Sequence, residues 1–227
     1  MTDSLAADYA AKNADYYGLC RPEMLRFVPA SAKRILEVGC GAGEFCAQFR
    51  RSAECELWGV EPNRDAALKA KEKLDNVFCS YFDESVELPS EYFDCIIFND
   101  VLEHIYDGLS ALKLTRKLLR NGGSVVASIP NIGHFPTIWR LVVRGQWEYT
   151  DKGILDKTHV RFFTRQSVQT LFEKAGFNIQ RLDGINSFFS MEPEDGRLWH
   201  FYRMISWVPA KGIIDMRHLQ FGVLAVK

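Results

Sequence analysis

An α/β fold, built on a largely parallel sheet with covering helices, is predicted by two features of this 227-residue sequence. Short β-branched runs alternate with longer amphipathic ones, and a glycine-rich turn, GCGAG at 39–43, joins the first run to the segment after it. Composition agrees: 47% hydrophobic and 25% charged residues suit a chain that buries a sizeable core, and the length fits one elaborated domain better than two.

Residues 5–27 form a helix-like leader carrying Tyr16 and Tyr17. RILEV (34–38) reads as a buried strand ending at Gly39, and 44–51 as a helix. LWGV (57–60) is a second strand, followed by a helix over 65–74 for which Asn63 is the candidate N-cap. A short strand at 77–81 and a strong one at 92–98 (YFDCIIF) precede a helix over 109–119, which Asn121-Gly122-Gly123 is expected to stop. SVVASI (124–129) is the fifth strand, ended by Pro130. The alternation then lapses: 131–163 is aromatic and polar, broken by Pro136, Gly145 and Gly153, and too long for an ordinary connection, which points to a lid or pocket wall. A helix over 165–175 with Gly176 as its stop, a strand at 177–182, a helical candidate at 198–207 and a closing strand at 218–226 complete the pattern.

The net charge of −1 argues against a strongly electrostatic nucleic-acid binder, which needs an excess of cations to displace counterions. Up to Ile129 there are 15 basic and 20 acidic residues, and from Pro130 onward 13 and 9. The second part also holds His134, His159, His200 and His218, so the two parts are expected to do different jobs, the second facing a neutral or anionic partner. The first 18 residues show neither the basic nor the apolar region of a secretory signal, and no apolar run approaches the roughly 18 residues of a membrane span. Six cysteines without C-x-x-C or zinc-type spacing read as reduced thiols of a cytoplasmic protein, with no metal expected.

Glycines at 39, 41 and 43 let the backbone turn tightly and approach a ligand closely, just ahead of a helix N-terminus with free N–H groups. A dinucleotide fingerprint would need glycine at Glu44 or Cys46, and the P-loop Gly-Lys-Ser/Thr is absent. At the end of the second strand, Glu61 is placed to accept the two hydroxyls of a ribose, and Pro62 ends that strand.

In EVGCGAGEF (37–45), GVEP (59–62), FDCIIFNDVLEHIYD (93–107) and LLRNGGSVVASIPN (118–131), the sequence resembles the class I S-adenosylmethionine-dependent methyltransferases over nearly its whole length. The resemblance implies a seven-stranded Rossmann-like sheet, mostly parallel with the last strand antiparallel, and S-adenosylmethionine as cofactor with S-adenosylhomocysteine as product. It also implies a cofactor site in which Glu37, Gly39, Cys40, Gly41 and Gly43 surround the amino-acid end, Glu61 and Pro62 the ribose, Phe82 and Asp83 the adenine, and Asn99 the methionyl part. YYG…R (16–21), IPNIGH and GILDKTHVRFFT look like bacterial small-molecule methyltransferases of cell-surface polysaccharide or sugar biosynthesis. A looser similarity is to quinone-biosynthesis O-methyltransferases.

An alcohol acceptor must lose a proton, and histidine is suited to take it near neutral pH. His159 and His104 are the first candidates and His134 the third. His104 and His159 have structural alternatives: for His104 a hydrogen bond fixing its loop, for His159 a locally hydrogen-bonded turn capping the helix at 165. Acceptor contacts are expected from Tyr16 and Tyr17 in the leader, and from Trp139, Trp147, Tyr149, Asp156, Arg161 and Phe163 in an acceptor-binding insertion at 130–164. Arg140, Arg144, Arg161 and Arg165 would suit a phosphate-bearing acceptor such as a nucleotide-sugar, or else act as solvated surface charges. Trp199, Phe201, Tyr202 and Trp207 belong to core packing or to a dimer or membrane-facing surface. The expected organisation is thus one domain: leader 1–32, cofactor core 33–129, insertion 130–164 and C-terminal part 165–227. Expected activity is O-methylation of a sugar, nucleotide-sugar or glycan precursor, with a phenolic or quinone precursor, an amino sugar nitrogen, or a non-catalytic scaffold as alternatives.

Overall fold

The first strand, β1 (Arg34–Val38), has residues buried on both faces, as a run flanked by parallel neighbours must. In the computed structural model, which describes residues 20–51, 55–187 and 211–227, it stands near the middle of a seven-stranded sheet. The other strands are β2 (Glu56–Val60), β3 (Asn76–Phe78), β4 (Phe93–Asn99), β5 (Leu119–Pro130), β6 (Asn178–Ser187) and β7 (His218–Val226), in the order β3-β2-β1-β4-β5-β7-β6. β1 pairs in parallel with β2 (Leu36 opposite Trp58) and β4 (Leu36 opposite Ile96), while β7 runs antiparallel to both β5 and β6. The antiparallel strand expected at 218–226 is therefore present, lying inside the sheet between β5 and β6.

Alternate residues of the strands feed two cores. Leu36, Ile96, Phe98, Val125 and Ala127 face one side, covered by Leu112 and Leu118 of α2 (Gly108–Leu118) and by Val168 and Phe172 of α4 (Arg165–Lys174). Ile35, Leu57, Cys95, Ile97 and Val126 face the other, covered by Met24 and Phe27 of a 3-10 turn (Pro22–Phe27), by Phe45 and Cys46, and by Ala70 of α1 (Arg64–Ala70). Asn63 caps α1 by accepting the Ala66 N–H, as predicted, and Gly176 adopts a left-handed φ of +85° after α4. All six cysteines are free thiols.

Three sequence expectations are corrected. The helix expected at 44–51 is a 3-10 turn, Cys46–Arg51, whose first N–H, that of Cys46, donates to the buried Glu37 carboxyl. Asn121-Gly122-Gly123 does not stop the preceding helix, which ends at Leu118; it lies inside β5, where the pairing with β4 shifts register between Phe93 and Cys95 and Gly122 takes φ +73°. The stretch 131–163 is not wholly irregular, since it contains α3 (Phe135–Arg144), which starts with Pro136 in its first turn and ends at Gly145 with φ +63°. A short helix, α5 (Lys211–Asp215), precedes β7. Tyr16, Tyr17 and the candidate helix 198–207 with its aromatics lie outside the described residues. No helix among the described residues is long and apolar enough to cross a membrane.

Candidate cofactor and acceptor site

The strand order reverses between β1 and β4, and the crevice at the carboxyl ends of these strands is where open α/β sheets bind ligands. The glycine loop leaves β1 there. Gly39, Gly41 and Gly43 all have positive φ (+67°, +54° and +79°), and a Cβ on Gly39 would come within 2.6 Å of a Val101 methyl carbon. A larger residue at 39 would therefore close the cradle. Backbone N–H groups of Gly39 and Cys40 donate to the Val60 carbonyl at 2.8 and 3.3 Å, tying the loop to β2.

Two buried carboxyls frame this loop. Glu61 accepts from Gly41 N–H at 2.9 Å and Asn63 N–H at 2.8 Å, and burial raises its pKa despite those donors. Glu37, 2% exposed, accepts from Cys46 N–H and from the Asn99 amide, each at 3.1 Å. Burial pushes Glu37 up to about 8 against these hydrogen bonds, with Glu61 adding like-charge repulsion. Beside it the Asn99 Oδ1 is buried without a hydrogen-bond partner. A carboxyl and an orphaned amide oxygen side by side offer two acceptors to an ammonium, which fits the amino-acid end of S-adenosylmethionine.

A cavity of about 780 Å³ opens beside the loop. Val38, Gly39, Val60, Pro62 and Phe82 form one wall, and Val101, His104, Ile105, Tyr106, Thr158 and Val160 the other, together with Ser80 and Tyr81. Phe82, expected beside the adenine, lines this wall and packs edge-on against Phe98 with ring centroids 5.6 Å apart. Asp83 is not among the lining residues: its exposed carboxylate accepts from the Ser85 hydroxyl and N–H, which lower its pKa.

The turn after β4 builds the far end. Asp100, with φ +54°, accepts from the Ser128 hydroxyl and the Gln220 amide and pairs with Arg21, which ties the start of the 3-10 turn at Pro22 to the sheet. Glu103, His104 and His159 then come together although 55 residues separate the histidines. Their rings are edge-to-face with centroids 4.7 Å apart, and His159 Nε2 is 3.8 Å from Glu103 Oε1. Each histidine Nδ1 meets a backbone carbonyl, Thr158 for His104 at 3.1 Å and Ile154 for His159 at 2.9 Å. Main-chain bonds from Val160 and Arg161 N–H to the Glu103 carbonyl clamp the two segments together. Glu103 is 1% exposed, neither carboxyl oxygen has a hydrogen-bond partner, and burial raises its pKa to about 8.

Other expected site residues are placed elsewhere. His134 is buried at the N-cap of α3, apart from the cavity lining, and burial lowers its pKa to about 4, so it is neutral at pH 7. Phe163 belongs to the core, Trp139 tilts against Phe135 at 5.8 Å, Trp147 packs edge-on to Phe162, and Tyr149 is exposed. Asp156 holds a local turn by accepting from the Thr158 N–H and hydroxyl, and Arg161 donates twice to the Tyr106 carbonyl. Arg165 is engaged by Asp215 at 2.7 Å and by the Leu182 carbonyl. Sequence reasoning missed Val101, Ile105, Tyr106, Thr158 and Val160; Ile105 and Tyr106 directly follow the Leu-Glu-His triplet, the one signal available for them.

A family model described as a methyltransferase domain matches residues 11–182. A ubiquinone biosynthesis O-methyltransferase of Aeromonas salmonicida is 30% identical over 162 residues, 68% of this chain and 66% of that protein. A homologue of the same name from Nitrobacter winogradskyi is 29% identical over 67% of this chain and 59% of its own length. The chain thus spans less than two thirds of these curated relatives. Among solved structures, an S-adenosylmethionine-dependent methyltransferase from Archaeoglobus fulgidus superposes with a TM-score of 0.65 at 17% identity, covering 100% of both chains. One from Thermotoga maritima, named as a possible histamine N-methyltransferase, gives 0.63 at 19% identity over 94% of this chain and 91% of its own. The chain belongs to the methyltransferase-domain family, and its fold is that of the solved S-adenosylmethionine-dependent methyltransferases.

Proposed function

We propose that the protein transfers a methyl group from S-adenosylmethionine to a hydroxyl of a small planar or aromatic acceptor, of the phenolic or quinone-precursor type. The observation that carries this reading is an apolar cavity, walled by Val101, Ile105, Tyr106 and Val160, that has His104 on its face and Glu103 and His159 behind it. It runs continuously from the glycine loop at Gly39. Such walls reward burial of a ring and offer few partners to the many hydroxyls of a sugar, so they favour the phenolic acceptor over the sugar, nucleotide-sugar or amino-sugar one. The names of the O-methyltransferase relatives support the same acceptor class. A [4+2]-cyclase shares the fold with a TM-score of 0.59, so the site rather than the fold must carry the argument.

In this reading Glu37 and Asn99 hold the ammonium of the cofactor, Glu61 the ribose and Phe82 the adenine. The acceptor oxygen attacks the methyl carbon in line with the departing sulfur, which keeps the bonding pair and becomes a neutral thioether. Charge disperses in the transition state, so positioning and exclusion of water supply much of the rate. The acceptor must also surrender its proton, and Glu103, His104 and His159 are the groups at that end of the cavity. Incubation with S-adenosylmethionine and matched panels of catechols, simple phenols and sugars tests the assignment by mass-mapping the product. Turnover confined to sugars would overturn the acceptor class, and no turnover with any acceptor despite tight S-adenosylhomocysteine binding would favour a scaffold.

A further inference from the structure

We propose that Glu103, His104 and His159 form a binding site for a divalent transition-metal ion of the Zn2+ type, whose open coordination positions face the cavity and take the acceptor oxygen. One ligand atom from each of the three lies within 4.8 Å of the other two, a set that contracts onto an ion through small rotamer adjustments. Ligand chemistry favours this assignment: two imidazoles and one carboxylate are the donor set of three-ligand catalytic sites, and imidazole selects Zn2+ or its neighbours over Mg2+ and Ca2+.

Three further observations point the same way. Glu103 is 1% exposed with both oxygens lacking a hydrogen-bond partner, an arrangement that costs free energy unless a cation or proton compensates it. Arg21 is the cationic side chain whose charge reaches it, and Arg21 is already paired with Asp100. Each imidazole directs Nδ1 at a main-chain carbonyl, 3.1 Å for His104 and 2.9 Å for His159. A carbonyl there fixes the proton on Nδ1 and puts the ring lone pair on Nε2, the outer-shell arrangement typical of metal-ligating histidines. Finally, the loop bearing His159 is clamped to the Leu102–His104 turn by the two bonds to the Glu103 carbonyl, so the three donors are held on one rigid unit.

The inference rests on the methyltransferase reading and gives its acceptor end a chemistry. An acceptor hydroxyl bound to the ion is acidified, loses its proton to solvent at the cavity mouth, and presents an oxyanion to the methyl carbon. The three side chains then act as ligands rather than as separate proton acceptors.

The full chain, stripped with EDTA and dialysed, is titrated with ZnCl2 and separately with MgCl2 by calorimetry, and with CoCl2 by visible absorption. Expected are one saturable Zn2+ site per chain, at least 100-fold weaker Mg2+ binding, and ligand-field bands from Co2+ with imidazole donors. Glu103→Gln, which keeps shape and removes the buried charge, should weaken Zn2+ at least tenfold while S-adenosylhomocysteine affinity stays within about twofold; His104→Gln provides the same comparison if the first variant fails to fold. Absence of saturable Zn2+ binding, or Zn2+ affinity unchanged in both variants, overturns the proposal. S-adenosylhomocysteine binding without Zn2+ binding would remove the metal site alone, and Zn2+ binding without S-adenosylhomocysteine binding would remove the methyltransferase reading alone.

Discussion

Binding of S-adenosylhomocysteine at pH 7 is expected to expel nearly one proton, with Glu37 as its source. The buried Glu37 carboxyl has a pKa of about 8, so at pH 7 roughly nine in ten molecules hold its proton before the ligand arrives. The ligand's ammonium, placed between Glu37 and the orphaned Asn99 Oδ1, favours the carboxylate and drives that proton off. Expelling it at pH 7 costs about 1.4 kcal/mol, so affinity should rise close to tenfold per pH unit between about pH 6 and 7.5. Calorimetry at pH 7 in phosphate and in Tris, whose ionisation heats differ, reads the released proton directly. Glu61 is the other acid facing this loop with a raised pKa, and the Cys40 and Cys46 thiols beside it stay protonated because burial raises them. Glu37→Gln should therefore abolish the buffer dependence, whereas Glu61→Gln should leave most of it. Identical binding heats in the two buffers, with binding intact, would refute the assignment of Glu37 to the ammonium.

The same carboxyl sets a sign for stability without ligand. Because its folded pKa of about 8 lies above the ordinary carboxyl value of 4.5, the folded state holds a proton the unfolded state has released, and stability falls as pH rises toward 8. His134 works oppositely only below pH 6.5, its folded value being about 4, while Glu103, also raised to about 8 by burial, adds a slope of the same sign as Glu37; Tm should therefore decline from pH 6.5 to 8, and Glu37→Gln should remove about half of that slope in thermal melts. Gly39→Ala, forced into φ +67° with its Cβ 2.6 Å from Val101, should lose about 2–3 kcal/mol and at least tenfold in S-adenosylhomocysteine affinity; wild-type melting and binding would contradict the cradle geometry. At the opposite end of β4, burial works to raise Asp94, but the Arg34 and Lys33 N–H groups and the Arg120 and Arg34 guanidiniums outweigh it and hold Asp94 at about 2. Its contribution is present above pH 4 and lost as pH falls toward 2, so Asp94→Asn should cost roughly 2 kcal/mol at pH 7 in urea titrations and progressively less in acid; an equal cost at pH 3 would refute it.

The elements legible in the sequence are those whose cause is local. β1, β4 and the 124–129 part of β5 are mostly apolar runs because both faces are covered, and the glycine loop is legible because positive φ at 39, 41 and 43 favours glycine. Where one residue type serves two purposes, reading failed. Pro136 looked like a break but occupies the first turn of α3, where a proline has no N–H to waste, and Asn121-Gly122-Gly123 looked like a helix stop but serves a shifted strand. The turn that carries the glycine loop was readable for the same reason, although the segment after it is a 3-10 turn rather than the expected helix. The acceptor wall was not, because Ile105 and Tyr106 meet Thr158 and Val160 only once the loop at 160–161 is hydrogen-bonded to Glu103, and no periodicity encodes that meeting. His104 and His159 were identified singly by type, while their joint placement with Glu103 emerged only in three dimensions.

The position of β7 has a consequence for how the chain assembles. β6 precedes β7 in sequence yet joins the sheet only through it, so α4 must first deliver β6 one strand's width away from β5, leaving a vacant lane. Until β7 fills that lane, β5 shows a bare edge of unsatisfied N–H and C=O groups flanked by Val125, Ala127 and Ile129, a template for pairing with another molecule. Phe221 and Val223 then close the interior as they zip in, and Phe27 seals the outside by laying its ring over Gly222, where a Cβ would sit 2.5 Å away. Aggregation during refolding should therefore respond to changes in β7 more than to changes of equal equilibrium cost at the β3 edge, which is paired with β2 alone and leaves no internal gap.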